Sequence, residues 1–263
     1  MIDFLGSAGL PIDTVLFGNG QTAQETRRLL QQVALTDLSI LLEGESGTGK
    51  ETVARWIHGQ SPFAKGEFVR LSASALGLAE MEESHESNSC LPVAVAQEME
   101  HASGGTLFLD EVEELSPVCQ ARLLAVLQEK NFIANAVHEG APRDTRVISS
   151  VRVGPRHVDA KTTLRPDLYY SVSAVTFRIP PLRERIDELP MLAEYFITQM
   201  SSEYRLPARP LSSEALKVMV EYAWPGNLRE LRDILTSYVL TASEEMLVKK
   251  LTTTTASAQN RAA

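Results

Sequence analysis

Short apolar runs alternate with longer amphipathic segments over the first two thirds of the chain. Three runs have the length and composition of buried strands, namely Leu38–Leu42, Thr106–Leu109 and Arg146–Ser149. Helices are predicted over Gln21–Leu35, Glu51–Gln60 and Pro117–Glu129, which have helical composition or spacing. Strands that alternate with helices in this way predict an α/β fold with a mostly parallel sheet.

The pattern becomes helical after residue 181, and no strand pattern occurs past about Phe177. Helices are predicted over Asp187–Tyr204 and Ser213–Tyr222, and a third begins near Asn227, which could act as N-cap with Glu230 in a capping box. An apolar seam follows on the third helix at Leu228, Leu231, Leu235 and Tyr238. We therefore expect an α/β subdomain over residues 1–182, a helical subdomain over 183–250 and a flexible, low-complexity tail over 251–263.

Composition narrows the possible classes of protein. The chain has 263 residues, of which 44% are hydrophobic, so it can bury a full core. Its net charge of -9 disfavours strong binding to nucleic acid through phosphates, so we expect weak or absent DNA binding. Cys90 and Cys119 are too few for a disulfide framework, and no apolar stretch is long enough to cross a bilayer. A cytoplasmic location without membrane attachment is the simplest expectation.

A glycine-rich loop follows the first predicted strand and leads into a predicted helix. Its residues Gly44-Glu45-Ser46-Gly47-Thr48-Gly49-Lys50 fit the pattern G-x-x-x-x-G-K. Glycines allow backbone N–H groups to converge on phosphates, and the start of the helix adds partial positive charge. A turn that binds nothing would also be rich in glycine, but the flanking strand and helix favour a phosphate site, with Lys50 reaching the β- and γ-phosphates.

An acidic pair, Asp110 and Glu111, stands at the end of the second predicted strand. Acidic pairs in this position are often solvated loop residues. Beside a phosphate loop, however, Asp110 suits the orientation of hydrated Mg²⁺, and Glu111 suits the polarisation of an attacking water. Glu51 stands where Ser or Thr usually helps to hold Mg²⁺, so the metal would depend on Asp110, water and the phosphates.

Four spaced motifs carry a resemblance to a known family: GESGTGKE, GGTLFLDEV, PPLRER and WPGNLREL. Together they resemble the ATPase domain of bacterial enhancer-binding proteins, the AAA+ activators of sigma-54 RNA polymerase, from about Leu16 to Leu240. The resemblance implies an AAA+ P-loop NTPase fold with a parallel-sheet core and a small C-terminal helical lid. It also implies ATP and Mg²⁺ as cofactors, and assembly into a hexameric or heptameric ring with nucleotide bound between subunits.

The resemblance also implies roles for particular residues. Lys50, Asp110 and Glu111 match the two Walker motifs, and Leu16-Phe17-Gly18 matches the segment near the adenine. Arg165 matches the first arginine that reaches into a neighbour's site, where it would stabilise charge in the transition state. Arg229 matches the sensor arginine that reports nucleotide to the lid, although an arginine there could simply be solvated.

Several residues depart from the family pattern. Ser72 replaces the Asn that restrains the catalytic Glu, Val151 and Arg152 replace a Thr-Asn pair, and Ser171 replaces a second arginine finger. These departures predict ATP binding with weak or absent hydrolysis. The interval before the second predicted strand contains acidic residues and no GAFTGA motif, so we expect no ordinary remodelling of sigma-54; a solvated loop and an acidic docking site both remain open for this interval.

These observations leave three functions open. The first is an ATP-binding transcriptional regulator of the enhancer-binding type that has lost its sigma-54 contact and acts with another protein partner in transcription. The second is a nucleotide-gated oligomeric interaction module without significant ATPase activity. The third is a conventional mechanochemical ATPase with another protein as its substrate. The sequence also leaves open whether the chain is a minimal protein or part of a longer regulator.

Overall fold

The computed structural model describes residues 12–18, 21–74, 90–136, 145–154 and 160–262. The strands are β1 Ile40–Gly44, β2 Phe68–Ser72, β3 Thr106–Asp110, β4 Arg146–Arg152 and β5 Val175–Arg178. The α-helices are α1 Ile12–Phe17, α2 Gln21–Ala34, α3 Lys50–Gly59, α4 Cys90–His101, α5 Pro117–Ala136, α6 Ala160–Thr163, α7 Pro166–Val172, α8 Leu189–Tyr204, α9 Ser213–Glu221, α10 Asn227–Thr241 and α11 Glu244–Ala262. Short 3₁₀ helices cover Val112–Glu114 and Leu182–Glu188.

The chain divides into two compact units. The sheet unit comprises Thr26–Glu45 and Lys50–Ile179, and the helical unit comprises the described residues up to Glu25, Ser46–Gly49 and the residues from Pro180 onward. The change near residue 180 lies close to the expected boundary, but Ser46–Gly49 belong to the helical unit although both of their flanks belong to the sheet unit.

The sheet unit is built on five parallel strands in the order β2-β3-β4-β1-β5. The predicted α/β fold is therefore confirmed, as are the three predicted strands, although β4 runs further than expected and includes Val151 and Arg152. The sequence did not single out β2 or β5 as strands. Because the strands are parallel, the last residues of β3, β4 and β1 reach the same edge of the sheet, which we call the carboxyl edge.

Apolar side chains fill both faces of the sheet. The first four residues of β3 are buried, and Leu41, Leu107 and Leu109 belong to one apolar cluster with the side chains of α5. Helix α3 buries Val53, Trp56 and Ile57, whose i, i+3, i+4 spacing places them on one face of the helix. No helix in the described ranges is long and apolar enough to cross a membrane.

The helical unit has its own core, formed by α8, α9, α10 and α11. The predicted seam on α10 is buried, with Leu231 and Leu235 fully inaccessible to solvent. Trp224 is also fully buried, and its indole Nε1 donates a hydrogen bond of 2.8 Å to the carbonyl oxygen of Met219. This hydrogen bond satisfies the one polar atom of a large side chain that is otherwise packed in the core.

The predicted N-cap at Asn227 is wrong, because Gly226 precedes the first helical residue and Asn227 lies within α10. Asn227 has a left-handed backbone (φ 53°), and its side chain does not cap the helix but bonds to two other segments, as described below. Glu230 nevertheless bonds near the helix start, where its Oε2 accepts from the backbone N–H of Gly226 at 2.8 Å.

Helix α11 covers most of the segment for which we expected a flexible tail. Leu247 and Leu251 on this helix are 3% and 1% exposed and pack in the core of the helical unit. The low-complexity threonines and alanines that follow are compatible with a helix because apolar residues at i and i+4 secure its first half.

A buried arginine fastens α2 to the sheet. Arg146, the first residue of β4, is 1% exposed, and its Nη1 and Nη2 donate to the carbonyl oxygens of Ala34 and Val33, each at 2.8 Å. These carbonyls end α2 and have no partner within the helix. Burial lowers the pKa of Arg146 to about 10, although Asp37 opposes the shift, so the side chain stays charged at neutral pH.

Replacement of this arginine tests its structural role. Arg146→Met removes two charge-assisted bonds and takes the donor from the carbonyl oxygen of Ala34, while that of Val33 keeps its bonds from Thr36, so we expect the free energy of unfolding to fall by about 3 kcal/mol. Urea denaturation followed by circular dichroism measures the change. The control is Arg28→Met, which replaces an exposed arginine of α2 and should change the free energy of unfolding by less than about 0.5 kcal/mol. Equal losses in both variants would contradict the role given to Arg146.

Candidate functional site

The carboxyl edge of the sheet gathers the acidic pair. Asp110 ends β3, and its Oδ1 accepts a 2.7 Å hydrogen bond from the hydroxyl of the buried Ser150 on β4. The same hydroxyl accepts from the backbone N–H of Glu111 at 3.0 Å. Glu111 has a left-handed backbone (φ 59°), a conformation that costs free energy for a residue with a Cβ atom. Ser150 therefore fixes the turn that presents both carboxylates.

Arg70 on β2 holds the other oxygen of Asp110. Its Nε and Nη2 donate to Oδ2 of Asp110 at 3.2 and 2.6 Å. Its Nη1 lies 3.5 Å from Oε2 of Glu51, so one guanidinium bridges two carboxylates. Partial burial lowers the pKa of Arg70, but the hydrogen bond to Asp110 and the charge of Glu51 outweigh it and raise the pKa overall.

Glu51 has a second cation partner. Arg55, one turn later on α3, donates through Nε and Nη2 to Oε1 of Glu51 at 3.0 and 2.8 Å. The guanidinium of Arg55 also lies 4.3 Å from the centroid of the Phe68 ring. Glu51 thus faces two arginines where the family pattern has a hydroxyl side chain.

Arg152 at the end of β4 pairs with Glu111. Its Nη2 lies 2.7 Å from Oε1 of Glu111, and its Nη1 lies 3.6 Å from Oε1 of Glu114. The hydrogen bond to Glu111 raises the pKa of Arg152, so its charge is secure at any ordinary pH. Its backbone N–H donates to Oε1 of Glu113 at 2.7 Å, and burial raises the pKa of that carboxyl group. The carboxylate expected to polarise water is therefore held by a fixed cation.

Lys50 begins α3 and is 7% exposed. Its Nζ donates to the carbonyl oxygens of Gly44 and Glu45 at 2.9 and 3.1 Å. Burial lowers its pKa, and the charges of Glu111, Glu113 and Asp110 oppose that shift. A buried ammonium on two carbonyls has one N–H left to offer to another acceptor.

The middle of the glycine-rich loop, Ser46–Gly49, packs in the helical unit. Asn227 donates from Nδ2 to the carbonyl oxygen of Ser46 at 3.0 Å, and the backbone N–H of Arg229 donates to the carbonyl oxygen of Gly47 at 3.3 Å. Gly47 has φ 79°, and a Cβ atom there would overlap the carbonyl oxygen of Gly226. Only glycine fits this approach.

The side chain of Arg229 is exposed at the same loop. Its Nη1 lies 3.5 Å from Oγ of Ser46, a distance at the limit of a hydrogen bond. Arg229 thus lies beside residues of the loop, and its role as a sensor arginine stays a prediction. Thr48 of the loop is 1% exposed, and Gly49 has φ 97°.

The segment expected near the adenine is buried in the helical unit. Leu16 and Phe17 are 2% and 5% exposed, and Arg185 donates from Nη1 to the carbonyl oxygen of Leu16 at 2.8 Å. Gly18 has φ 83°, and a Cβ atom there would overlap the carboxylate of Glu188. The methyl group of Leu16 would lie 3.2 Å from a Cβ atom placed on Gly49, so the segment adjoins the loop.

Arg165 stands apart from these groups. Its Nε and Nη2 bond to the two carboxylate oxygens of Asp167 at 3.1 and 2.8 Å, and this exposed pair raises the pKa of Arg165 and lowers that of Asp167. Among the described residues, no bond joins it to Asp110 or Glu111. The role of Arg165 as an arginine finger for another subunit stays a prediction.

One expected contact, the restraint of Glu111, is made by a different residue. Ser72, which replaces the restraining Asn, bonds through its hydroxyl to the hydroxyl of Ser74 at 2.7 Å. Glu111 is restrained by Arg152 instead. Sequence reasoning noticed Arg152 only as a departure from a pattern and missed Arg70, whose signal was a charged residue between the apolar Val69 and Leu71 of β2. The acidic interval without GAFTGA lies largely outside the described residues.

Comparison with known proteins identifies the family to which the chain belongs. Residues 16–178 match the Sigma-54 interaction domain family, and residues 183–263 match the AAA+ ATPase lid domain family. The chain is 36% identical over 237 residues to the nitrogen fixation protein AnfA of Azotobacter vinelandii, a match that covers 88% of this chain and 44% of AnfA. It is 36% identical to the C4-dicarboxylate transport transcriptional regulatory protein DctD of Rhizobium meliloti, covering 86% of this chain and 49% of DctD. The chain thus spans about half the length of these curated relatives.

Solved structures show the same similarity. NtrX from Brucella abortus in complex with ADP superposes with a TM-score of 0.67 at 32% identity, covering 84% of this chain and 50% of NtrX. The ATP complex of NtrX has the same TM-score at 30% identity. RuvB from Thermotoga maritima, at 15% identity and a TM-score of 0.53, shares the fold alone.

The two family matches follow each other along the chain, and together they confirm the AAA+ fold with a lid. The chain belongs to the Sigma-54 interaction domain family, and it is similar to the AAA+ part of transcriptional regulators such as NtrC and the Nif-specific regulatory protein.

Proposed function

We propose that this chain is an ATP-binding regulatory domain that hydrolyses ATP weakly and does not remodel sigma-54. The observation that carries the proposal is the 2.7 Å ion pair between Arg152 and Glu111, because it occupies the carboxylate that hydrolysis needs. ATP is the proposed ligand because the glycine-rich loop has the required pattern and because NtrX, a relative of known structure, holds ATP or ADP.

Binding depends on the loop and on Lys50. Gly47 has a left-handed backbone that glycine adopts without strain. Because it has no Cβ atom, phosphates can approach the backbone N–H groups of the loop closely. Lys50 rests on two carbonyl oxygens and carries a positive charge at the start of α3. We expect its ammonium to exchange these carbonyls for phosphate oxygens, and we expect Arg229 to contact the bound nucleotide.

Hydrolysis depends on Glu111, and here the chain differs from the family pattern. A general base must accept a proton from water, and a carboxylate that is already bonded to a guanidinium is a poorer acceptor. The left-handed backbone of Glu111 and the hydrogen bond from its N–H to the hydroxyl of Ser150 fix the turn that presents this carboxylate. Ser171 supplies no second arginine, so charge in the transition state would depend on Arg165 of a neighbouring subunit.

Assembly and partners follow from the family. Sigma-54 activators act with sigma-54 and form rings, and we propose that this chain self-associates, with the exposed Arg165 facing its neighbour. The absence of GAFTGA from the sequence favours another protein partner in transcription, and the net charge of -9 favours weak DNA binding by these residues. The second candidate, a nucleotide-gated interaction module without turnover, is favoured by the same Arg152–Glu111 pair.

Replacement of Lys50 tests ATP binding. Lys50→Ala removes a charged donor to the phosphates, so we expect the ATP dissociation constant to rise by about tenfold or more. Isothermal titration calorimetry on the purified chain measures it. Lys217→Ala removes an exposed lysine of the helical unit and should leave the constant unchanged. The absence of ATP binding by the wild-type chain would refute the proposed function.

Replacement of Arg152 tests the reason for weak turnover. Arg152→Asn frees Glu111 and restores the side chain expected there, so we expect the hydrolysis rate to rise by about tenfold. Release of phosphate from ATP at high protein concentration measures the rate. The double variant Arg152→Asn with Glu111→Gln should return to the wild-type rate. Brisk hydrolysis by the wild-type chain that is abolished by Arg165→Ala would contradict the weak-enzyme proposal.

An open-complex assay tests the sigma-54 proposal. We expect the chain with ATP to give no open complexes with sigma-54 RNA polymerase above the level without activator, because its sequence lacks GAFTGA. The ATPase domain of a GAFTGA-containing activator serves as the positive control. ATP-dependent open complexes formed by this chain would overturn the proposal.

A further inference from the structure

The three carboxylates Glu51, Asp110 and Glu111 at the carboxyl edge each have a cation or a hydroxyl partner already. Asp110 accepts from Ser150 on one oxygen and from Arg70 on the other. Glu51 accepts from Arg55 and lies beside Arg70. Glu111 pairs with Arg152 at 2.7 Å. The pairing is therefore systematic across the residues that the sequence assigned to a metal and to water.

These residues do not fit a magnesium site. Mg²⁺ requires near-octahedral oxygen ligands and binds protein through one or two carboxylates together with waters and phosphates. At position 51 a glutamate that is bonded to two arginines replaces the usual hydroxyl. Both oxygens of Asp110 have donors, since Oδ2 has a guanidinium nitrogen at 2.6 Å and Oδ1 accepts from the hydroxyl of Ser150 at 2.7 Å.

We propose that this chain binds ATP without a divalent cation, and that the guanidinium of Arg70 supplies beside Asp110 the positive charge that Mg²⁺ supplies in related sites. The inference rests on the proposed function, because it concerns the same nucleotide. It differs from that proposal in naming the ionic form of the ligand, free ATP, and the residue that makes this form acceptable.

The geometry of Arg70 supports this role. Nε and Nη2 of its guanidinium face Asp110, and Nη1 faces Glu51, so the fork lies between the two carboxylates. The side chain is 47% exposed, whereas Asp110 is 13% exposed, so the guanidinium covers the carboxylate on its open side. A guanidinium has five N–H donors, and those not used by the carboxylates remain for phosphate oxygens.

Electrostatics point in the same direction. A Walker-type carboxylate without a partner would repel a triphosphate, and Mg²⁺ normally removes that repulsion. Here each carboxylate of the trio Glu51, Asp110 and Glu111 is neutralised by an arginine of this chain. A divalent cation at Asp110 would have to displace Arg70 or lie beside its charge, so Mg²⁺ gains less here than at a vacant carboxylate.

Calorimetry with and without magnesium tests the inference. ATP is titrated into the whole chain at one ionic strength, once with EDTA and once with excess MgCl₂. We expect the two dissociation constants to agree within about threefold. Binding that occurs only with MgCl₂ would overturn the inference and leave the proposed function standing. No binding in either buffer would overturn the proposed function itself.

A pair of matched variants tests the part played by Arg70. Arg70→Gln should weaken binding in EDTA by about tenfold, and MgCl₂ should restore most of it, because Asp110 becomes free. Arg55→Gln removes an equal charge that also pairs with Glu51 but does not contact Asp110, and it should keep equal constants in the two buffers. Thermal unfolding checks that both variants are folded. An Arg70→Gln variant with equal constants in EDTA and MgCl₂ would overturn the role of this arginine.

Discussion

Parallel pairing of β3, β4 and β1 determines which side chains meet at the carboxyl edge. Arg146 to Ser149 of β4 align with Thr106 to Leu109 of β3, and Arg152 aligns with Gly44 at the end of β1. A shift of one residue would turn Arg152 to the opposite face and leave Val151 facing Glu111. The register is held by apolar burial, since the strand interiors are almost inaccessible to solvent. The ionic contacts of the site thus depend on the packing of the apolar core beneath them.

Much of the architecture could be predicted from local patterns. The strand before the glycine-rich loop, the helix after it and the apolar seam of α10 all appear in the sequence as runs or spacings. The motif residues Asp110 and Glu111 were found because they follow a run of buried residues directly. In contrast, β5 has four residues of mixed burial, and β2 has no fully buried residue. Neither strand therefore appears in the sequence as a continuous apolar run.

Contacts between distant segments could not be predicted in this way. The bond from Arg70 to Asp110 joins residues on adjacent strands, and its existence depends on a register that a single strand does not encode. Asparagine is a residue type that favours the N-cap position. The side chain of Asn227 instead makes two hydrogen bonds to distant segments and does not cap the helix. The motif predicts that the residue at position 72 restrains Glu111. The short side chain of Ser72 bonds to Ser74 instead.

Asn227 connects three segments of the helical unit through one amide group. Its Oδ1 accepts from the backbone N–H of Leu182 at 2.8 Å, while its Nδ2 donates to the carbonyl oxygen of Ser46 at 3.0 Å. The amide is rigid and planar, and it is fully buried, so neither bond can be exchanged for water. The amide therefore couples the loop at Ser46 to the backbone at Leu182. A displacement of one segment displaces the other as long as both hydrogen bonds are kept.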